Sequence, residues 1–238
     1  MKKITLFLFI AVSAMSLFSC KKSDDAGYTC TTCTATPEAL LANNASSKGI
    51  YKGVLIGSTG TIKFDILNNG STITAVMVID GTTVNLTSAI AWVGGQHYIA
   101  PFTGTMNGSP VSITFDVNSD GGAPVITSAS VPGHASIQFT LLKETSTALI
   151  EAFEGTYHTT LPEDGTFNIL LSRAIQLWGG VARENGETEN DDIDGSINGS
   201  NQLISDGNVI GTLSGDKITG SFVDGNGKTV TINGKRTL

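Results

Sequence analysis

Apolar and polar residues alternate along most of this chain. In Thr61-Ile62-Lys63-Phe64-Asp65-Ile66, every second position is apolar. The same holds for Val111-Ser112-Ile113-Thr114-Phe115-Asp116-Val117 and for Ile137-Gln138-Phe139-Thr140-Leu141. A period of two puts Ile62, Phe64 and Ile66 on one face and Lys63 and Asp65 on the other, as a half-buried antiparallel strand requires. Turn dipeptides separate such runs: Asn69-Gly70, Asp80-Gly81, Asn107-Gly108 and Asp120-Gly121. Both residue types tolerate the positive φ of tight hairpins. The pattern continues in the second half through Gly165–Ile169, Lys217–Phe222 and Lys228–Ile232. Turns are expected there at Asp164-Gly165, Asp206-Gly207, Asp224-Gly225, Asn226-Gly227 and Asn233-Gly234.

Two segments break the alternation. Thr36-Pro37-Glu38-Ala39-Leu40-Leu41-Ala42 predicts a short helix, with Thr36 as cap, Pro37 at the first helical position and Glu38 at the positive end of the dipole. Thr147–Phe153 predicts a second, capped by Ser146. The two halves also align: Gly49-Ile50-Tyr51 with Gly155-Thr156-Tyr157, and Gly104–Gly108 with Gly211–Gly215. The expected architecture is therefore all-β, with two tandem antiparallel meander modules, small barrels or a sandwich, each preceded by a short helix.

The first residues follow different rules. Met1-Lys2-Lys3 precedes an apolar run from Ile4 to Phe18 that is short for a bilayer span and suits the apolar region of a secretory signal. The run Leu17-Phe18-Ser19-Cys20 resembles the lipobox of bacterial lipoproteins. That resemblance implies cleavage before Cys20 and acylation of this cysteine. Asp24-Asp25, soon after it, is similar to the surface-export signal of Bacteroidota outer-membrane lipoproteins, which implies a lipid-anchored protein facing the cell exterior. The expected organisation is 1–19 signal peptide, 20–36 flexible polar tether, 37–143 first β module and 144–238 second β module.

Each predicted module runs from a helix through Gly-x-Tyr and a meander to a basic residue, Lys143 or Lys235-Arg236. This plan resembles the lipocalin or calycin barrel. There a basic residue of the last strand lies over an aromatic ring of the first, at the closed end of the barrel. Tyr51 and Tyr157 take the place of that family's Trp. The resemblance implies that each tyrosine ring has a basic neighbour.

Charge narrows the range of partners. The formal net charge is −7, and loss of residues 1–19 with Lys2 and Lys3 makes it two units more negative. That argues against nucleic acid, which needs clustered Lys and Arg, and against adhesion to anionic lipid heads through charge. Beyond Cys20, the cysteines are Cys30 and Cys33. In an oxidising compartment they are expected to form a small disulfide loop. A CxxC spacing also suits thiol exchange or half of a metal site.

Catalytic signatures are missing: no Gly-x-Ser-x-Gly, no His-Glu-x-x-His, and His97, His134 and His158 are scattered. Asn190-x-Asp192-x-Asp194-Gly195 has the spacing of a calcium loop, so Asn190, Asp192 and Asp194 are candidate ligands for a weak calcium site. Asn201 stands where the last acidic ligand belongs. The alternative is a solvated acidic loop. Trp92 and Trp178, each followed by a Gly-Gly pair, are candidate ligand-binding residues. The functional expectation is a non-enzymatic binding or structural lipoprotein, taking a glycan, a small apolar ligand or another envelope protein. A surface hydrolase acting on polysaccharide is the alternative.

Overall fold

The computed structural model describes residues 27–161 and 163–238. Apart from a 3-10 turn at Leu41–Asn43, its regular elements are strands. The first eight are β1 (Gly49–Ile56), β2 (Gly60–Ile66), β3 (Ile73–Ile79), β4 (Thr82–Thr87), β5 (Tyr98–Met106), β6 (Ser109–Val117), β7 (Val125–Ser130) and β8 (Gln138–Lys143). The second eight are β9 (Glu151–Thr159), β10 (Asp164–Ser172), β11 (Leu177–Glu184), β12 (Asp191–Ile197), β13 (Gln202–Ser205), β14 (Asn208–Ser214), β15 (Lys217–Val223) and β16 (Thr229–Arg236). Each set is one antiparallel meander. The second closes fully, with β16 on β9. In the first, β8 returns to β1 but β7 and β8 share no ladder, leaving a seam. The tandem all-β plan is therefore as expected.

The hairpins Asp80-Gly81, Asn107-Gly108 and Asp206-Gly207 have positive φ at both residues, as a two-residue turn between twisted strands demands. Asp164-Gly165 and Asn233-Gly234 are not turns; they lie inside β10 and β16. Gly234 is there for space: a Cβ on it, or on its partner Gly155, would strike the Phe167 ring at 2.7 or 2.3 Å.

Neither predicted helix forms. In 37–42, the amides of Glu38 and Ala39 donate to the Glu144 carboxylate, and that of Leu40 to Asn68 Oδ1. Tertiary acceptors thus take the groups a helix start would leave free. Around 147–153, β9 begins at Glu151. Phe153 faces the second barrel's core while Ile150 and Ala152 pack with Val54 and Leu170 between the barrels. A strand buried on both faces reads as a continuous apolar run and loses its period of two.

The internal alignment also shifts. Tyr51 pairs with Lys143 on the last strand of the first barrel, and Phe153 with Arg236 on the last strand of the second. Phe153, not Tyr157, is thus the counterpart of Tyr51. Lys143 Nζ does lie over the Tyr51 ring, at 5.7 Å. Gly104–Gly108 and Gly211–Gly215 are hairpins between the fifth and sixth strands of one barrel and the sixth and seventh of the other, so their likeness is local.

The barrels lie side by side. Segment 144–150 joins them at one end, where the Glu144 carboxylate, fully buried, accepts from Lys52 Nζ (2.7 Å) and from the amides of Glu38, Ala39 and Ile150. Near mid-height, Asn168 Nδ2 donates to the Leu55 carbonyl.

Candidate binding cavity

The two barrels differ inside. The first is solid. Tyr51, Phe64, Phe102 and Phe115 pack mostly edge to face, with contacting ring centroids 4.6 to 6.1 Å apart, and all four are buried. The second encloses a cavity of about 380 Å³. Cross-strand neighbours share a face, so inward positions can be read from the ladders. Phe167 pairs with Gly155, Ile169 with Gly180, Trp178 with Gly195 and Ile232 with Gly220. A Cβ on any of these glycines would meet backbone or the neighbouring ring within 2.3 Å, so the glycines admit close packing in the wall. The cavity lies among the lining side chains between Trp178 and the opposite end.

One end of this cup is its floor. Trp178 is buried there, its Nε1 donating to the Ser196 carbonyl at 3.0 Å. Ile169 and Leu203 complete the apolar base. The other end is a polar mouth formed by Tyr157, Thr159, Glu163, Asp191, Ser205 and Asp224. Glu163 pairs with Lys228 at 2.5 Å, and Asp224 Oδ1 accepts from the amides of Asn226 and Lys228. Burial pushes the Tyr157 phenol above its ordinary pKa, and Glu184, Asp191, Glu163 and Asp164 push the same way. The mouth is thus a region of negative potential.

The sequence-predicted residues separate. Trp178 lines the cup. Trp92 sits on the β4–β5 connection over one end of the filled barrel, its Nε1 donating to Ser47 Oγ at 2.8 Å and Lys48 Nζ 4.2 Å from its ring. It is a cap, packed against the first core.

The three expected calcium ligands lie at and beside the start of an extended strand. Asp192 and Asp194 lie on strand β12, opposite Val181 and Gly179, and face outward. Successive outward carboxylates on an extended strand stand about 7 Å apart at their roots. Asn190 is engaged otherwise, its Oδ1 accepting from Arg183 Nε at 2.7 Å. Among the described residues, no group of three or more His, Cys, Asp or Glu could hold a metal ion.

Cys30 and Cys33 are joined as a disulfide. The segment around them is not a free tether. Tyr28 Oη donates to the Arg236 carbonyl (2.7 Å), the Cys30 amide to Asp216 Oδ2 (2.9 Å) and Arg236 to the Thr34 carbonyl (2.6 Å). Residues 1–19 and Cys20 lie outside the described residues.

His97 pairs with Asp116, His158 with Asp164 and His134 with Asp80, at three separate places. Phe167, Ile169, Phe222 and Ile232 were not singled out by sequence, and Tyr157 was expected only as the ring beside a basic residue of the last strand. Finding them needs the register of the ladders, which decides which side chains share the enclosed face. Compared with known protein families, curated proteins and solved structures, the chain matches none.

Proposed function

We propose that this protein is an envelope lipoprotein, anchored to the outer membrane by acyl chains on Cys20 and facing the cell exterior, whose second barrel binds a small apolar or amphipathic molecule. The observation that carries the reading is the contrast between the barrels: one filled by four aromatic rings, the other holding a cavity of about 380 Å³ over an apolar floor. That volume is in the range of small-ligand sites. The lipocalin-like plan of a single meander closed around a cavity supports the same reading, as does the contact of Lys143 with the Tyr51 ring.

The mouth narrows the ligand. With Glu163 paired to Lys228, Asp191 and Asp224 disfavour an anionic head group, so a neutral or cationic amphiphile fits best. The polysaccharide hydrolase is the weaker reading. It needs two carboxylates facing each other beside an aromatic platform. Here the rim acids are far from the indole: Asp191 stands four residues along β12 from Gly195, the partner of Trp178, or about 13 Å.

The test uses Trp92→Phe, so that Trp178 is the one indole reporting. Titration with a medium-chain alkyl amine, alcohol and carboxylate should change its fluorescence saturably, the carboxylate binding weakest. Ala182→Phe, which places a ring in the cup, should abolish the response. An indole indifferent to every apolar probe, or a response unaffected by Ala182→Phe, would overturn the proposal.

A further inference from the structure

We infer that the end of the barrel pair opposite the cup's mouth is a membrane-docking tip, held against the lipid surface so that the mouth opens away from it. The inference rests on the lipid-anchor reading of Cys20.

The first observation is where the chain arrives. Tyr28, Cys30 and Thr34 are fastened to Arg236 and Asp216, at the floor end of the second barrel. Lys235 Nζ lies 5.9 Å over the Tyr28 ring. The chain then crosses to the first barrel, where Asn43 Nδ2 donates to Asn68 and Lys143 Nζ donates to the Asn43 carbonyl. Residues 28–44 are therefore a strap over the same end of both barrels. From Cys20 to Tyr28 the chain can span at most about 27 Å. A nine-residue strand such as β9 is about 30 Å long. Turning the mouth toward the lipid would require the link to run nearly straight along the barrel wall.

The second observation is what this end exposes. Leu41 is 75% exposed on the 3-10 turn, with Leu40 beside it. Ile90 and Val93 are exposed on the β4–β5 connection that carries Trp92. Ile175 (56%) and Leu177 (55%) are exposed at the β10–β11 connection. Lys48, over the Trp92 ring, and Arg173 stand among them. Apolar loop tips with an indole and basic side chains at the same level suit the boundary between lipid headgroups and acyl chains. At the opposite end, Ser58, Thr59 and Asp80 of the first barrel meet Glu184, Asn185 and Glu187 of the second. Leu161 and Val223 are exposed there too. It is the strap, the indole and the basic side chains, together with apolar exposure, that single out the floor end. The occupant is thus a lipid surface, engaged through apolar side chains rather than net charge.

The experiment uses the acylated protein in vesicles of phosphatidylethanolamine and phosphatidylglycerol. An environment-sensitive fluorophore is placed on Leu41→Cys, Ile175→Cys or Asn226→Cys, the last in the β15–β16 turn at the mouth. Quenchers on the lipid chains should quench the first two and leave the third unaffected. Equal quenching at all three, or at Asn226→Cys alone, would overturn the proposal. So would unquenched Leu41→Cys on vesicle-bound protein, including the case where that position instead crosslinks to another protein. The mass of the mature protein tests the anchor separately, since acyl chains on Cys20 are either present or not. Whatever that mass, Cys20→Ala chain should still partition weakly onto the vesicles, and Leu41→Ser with Val93→Ser should reduce partitioning about tenfold. Partitioning that the double substitution leaves unchanged would sink the tip itself.

Discussion

Removing either charge of the buried Lys52–Glu144 pair should destabilise the protein strongly, because each variant strands the other charge. Lys52 is wholly buried, and Glu144 is 0% exposed. In Glu144→Gln the Lys52 ammonium keeps one acidic neighbour, Glu38 Oε2 at 3.4 Å. Stranding a buried charge in this way costs about 3–5 kcal/mol. In Lys52→Met the carboxylate still accepts from the amides of Glu38, Ala39 and Ile150. The carboxylate is nonetheless left buried without its counter-ion, so the loss is again about 3–5 kcal/mol, toward the lower end because the three amides remain. The double variant leaves no unpaired charge, and the Gln oxygen still serves part of the amide set. It should lose less than the two single losses added, with a coupling of about 2 kcal/mol or more. Urea unfolding of the chain from residue 27, followed by circular dichroism and fluorescence, gives all four corners of the cycle. Additivity within about 0.5 kcal/mol would refute the argument, because it would mean that Lys52 and Glu144 do not depend on each other for their burial.

Other outcomes follow from the same geometry. Burial raises the Glu154 pKa despite the opposing charge of Lys235. Its folded pKa lies above its unfolded one, so its contribution is fully present at acid pH and is lost as pH rises through the folded value. Glu154→Gln should therefore raise Tm at pH 7, with the gain vanishing below about pH 4; a gain that is constant with pH would contradict this. Glu38 behaves oppositely: burial disfavours its charge, but Lys63 and Lys52 outweigh it and hold the carboxyl low. Glu38→Gln should cost stability at pH 7 and progressively less as the pH falls toward 3, measured by thermal melts across that range. Phe167→Ala should cost about 3–5 kcal/mol in urea unfolding, because its ring fills the groove left by Gly155 and Gly234. Gly155→Val should be comparably damaging, since its Cβ would fall 2.3 Å from that ring.

Much of the architecture was legible in the order of residues. Alternation in β2, β6 and β15, and the hairpin signals at Asp80-Gly81, Asn107-Gly108 and Asp206-Gly207, depend on neighbours within a few positions, so sequence carries them directly. The tandem plan was legible for the same reason, although the Gly-x-Tyr repeat that suggested it placed Tyr157 where Phe153 stands. Long-range partners decided the rest. The 37–42 segment forgoes a helix because Glu144 and Asn68, distant in sequence, take its amides. Residues 191–194 are extended because β11 pairs with β12 along them. The cup exists because closure of β9 to β16 gathers Trp178, Ile169 and Leu203 at one end and the short side chains of Ala182, Thr159 and Ser205 toward the other, whereas four strands of the first barrel bring their aromatic rings to one centre. Local periodicity tells which face a side chain takes. Only closure of the sheet tells which side chains share the enclosed volume, and so whether that volume is filled or left open.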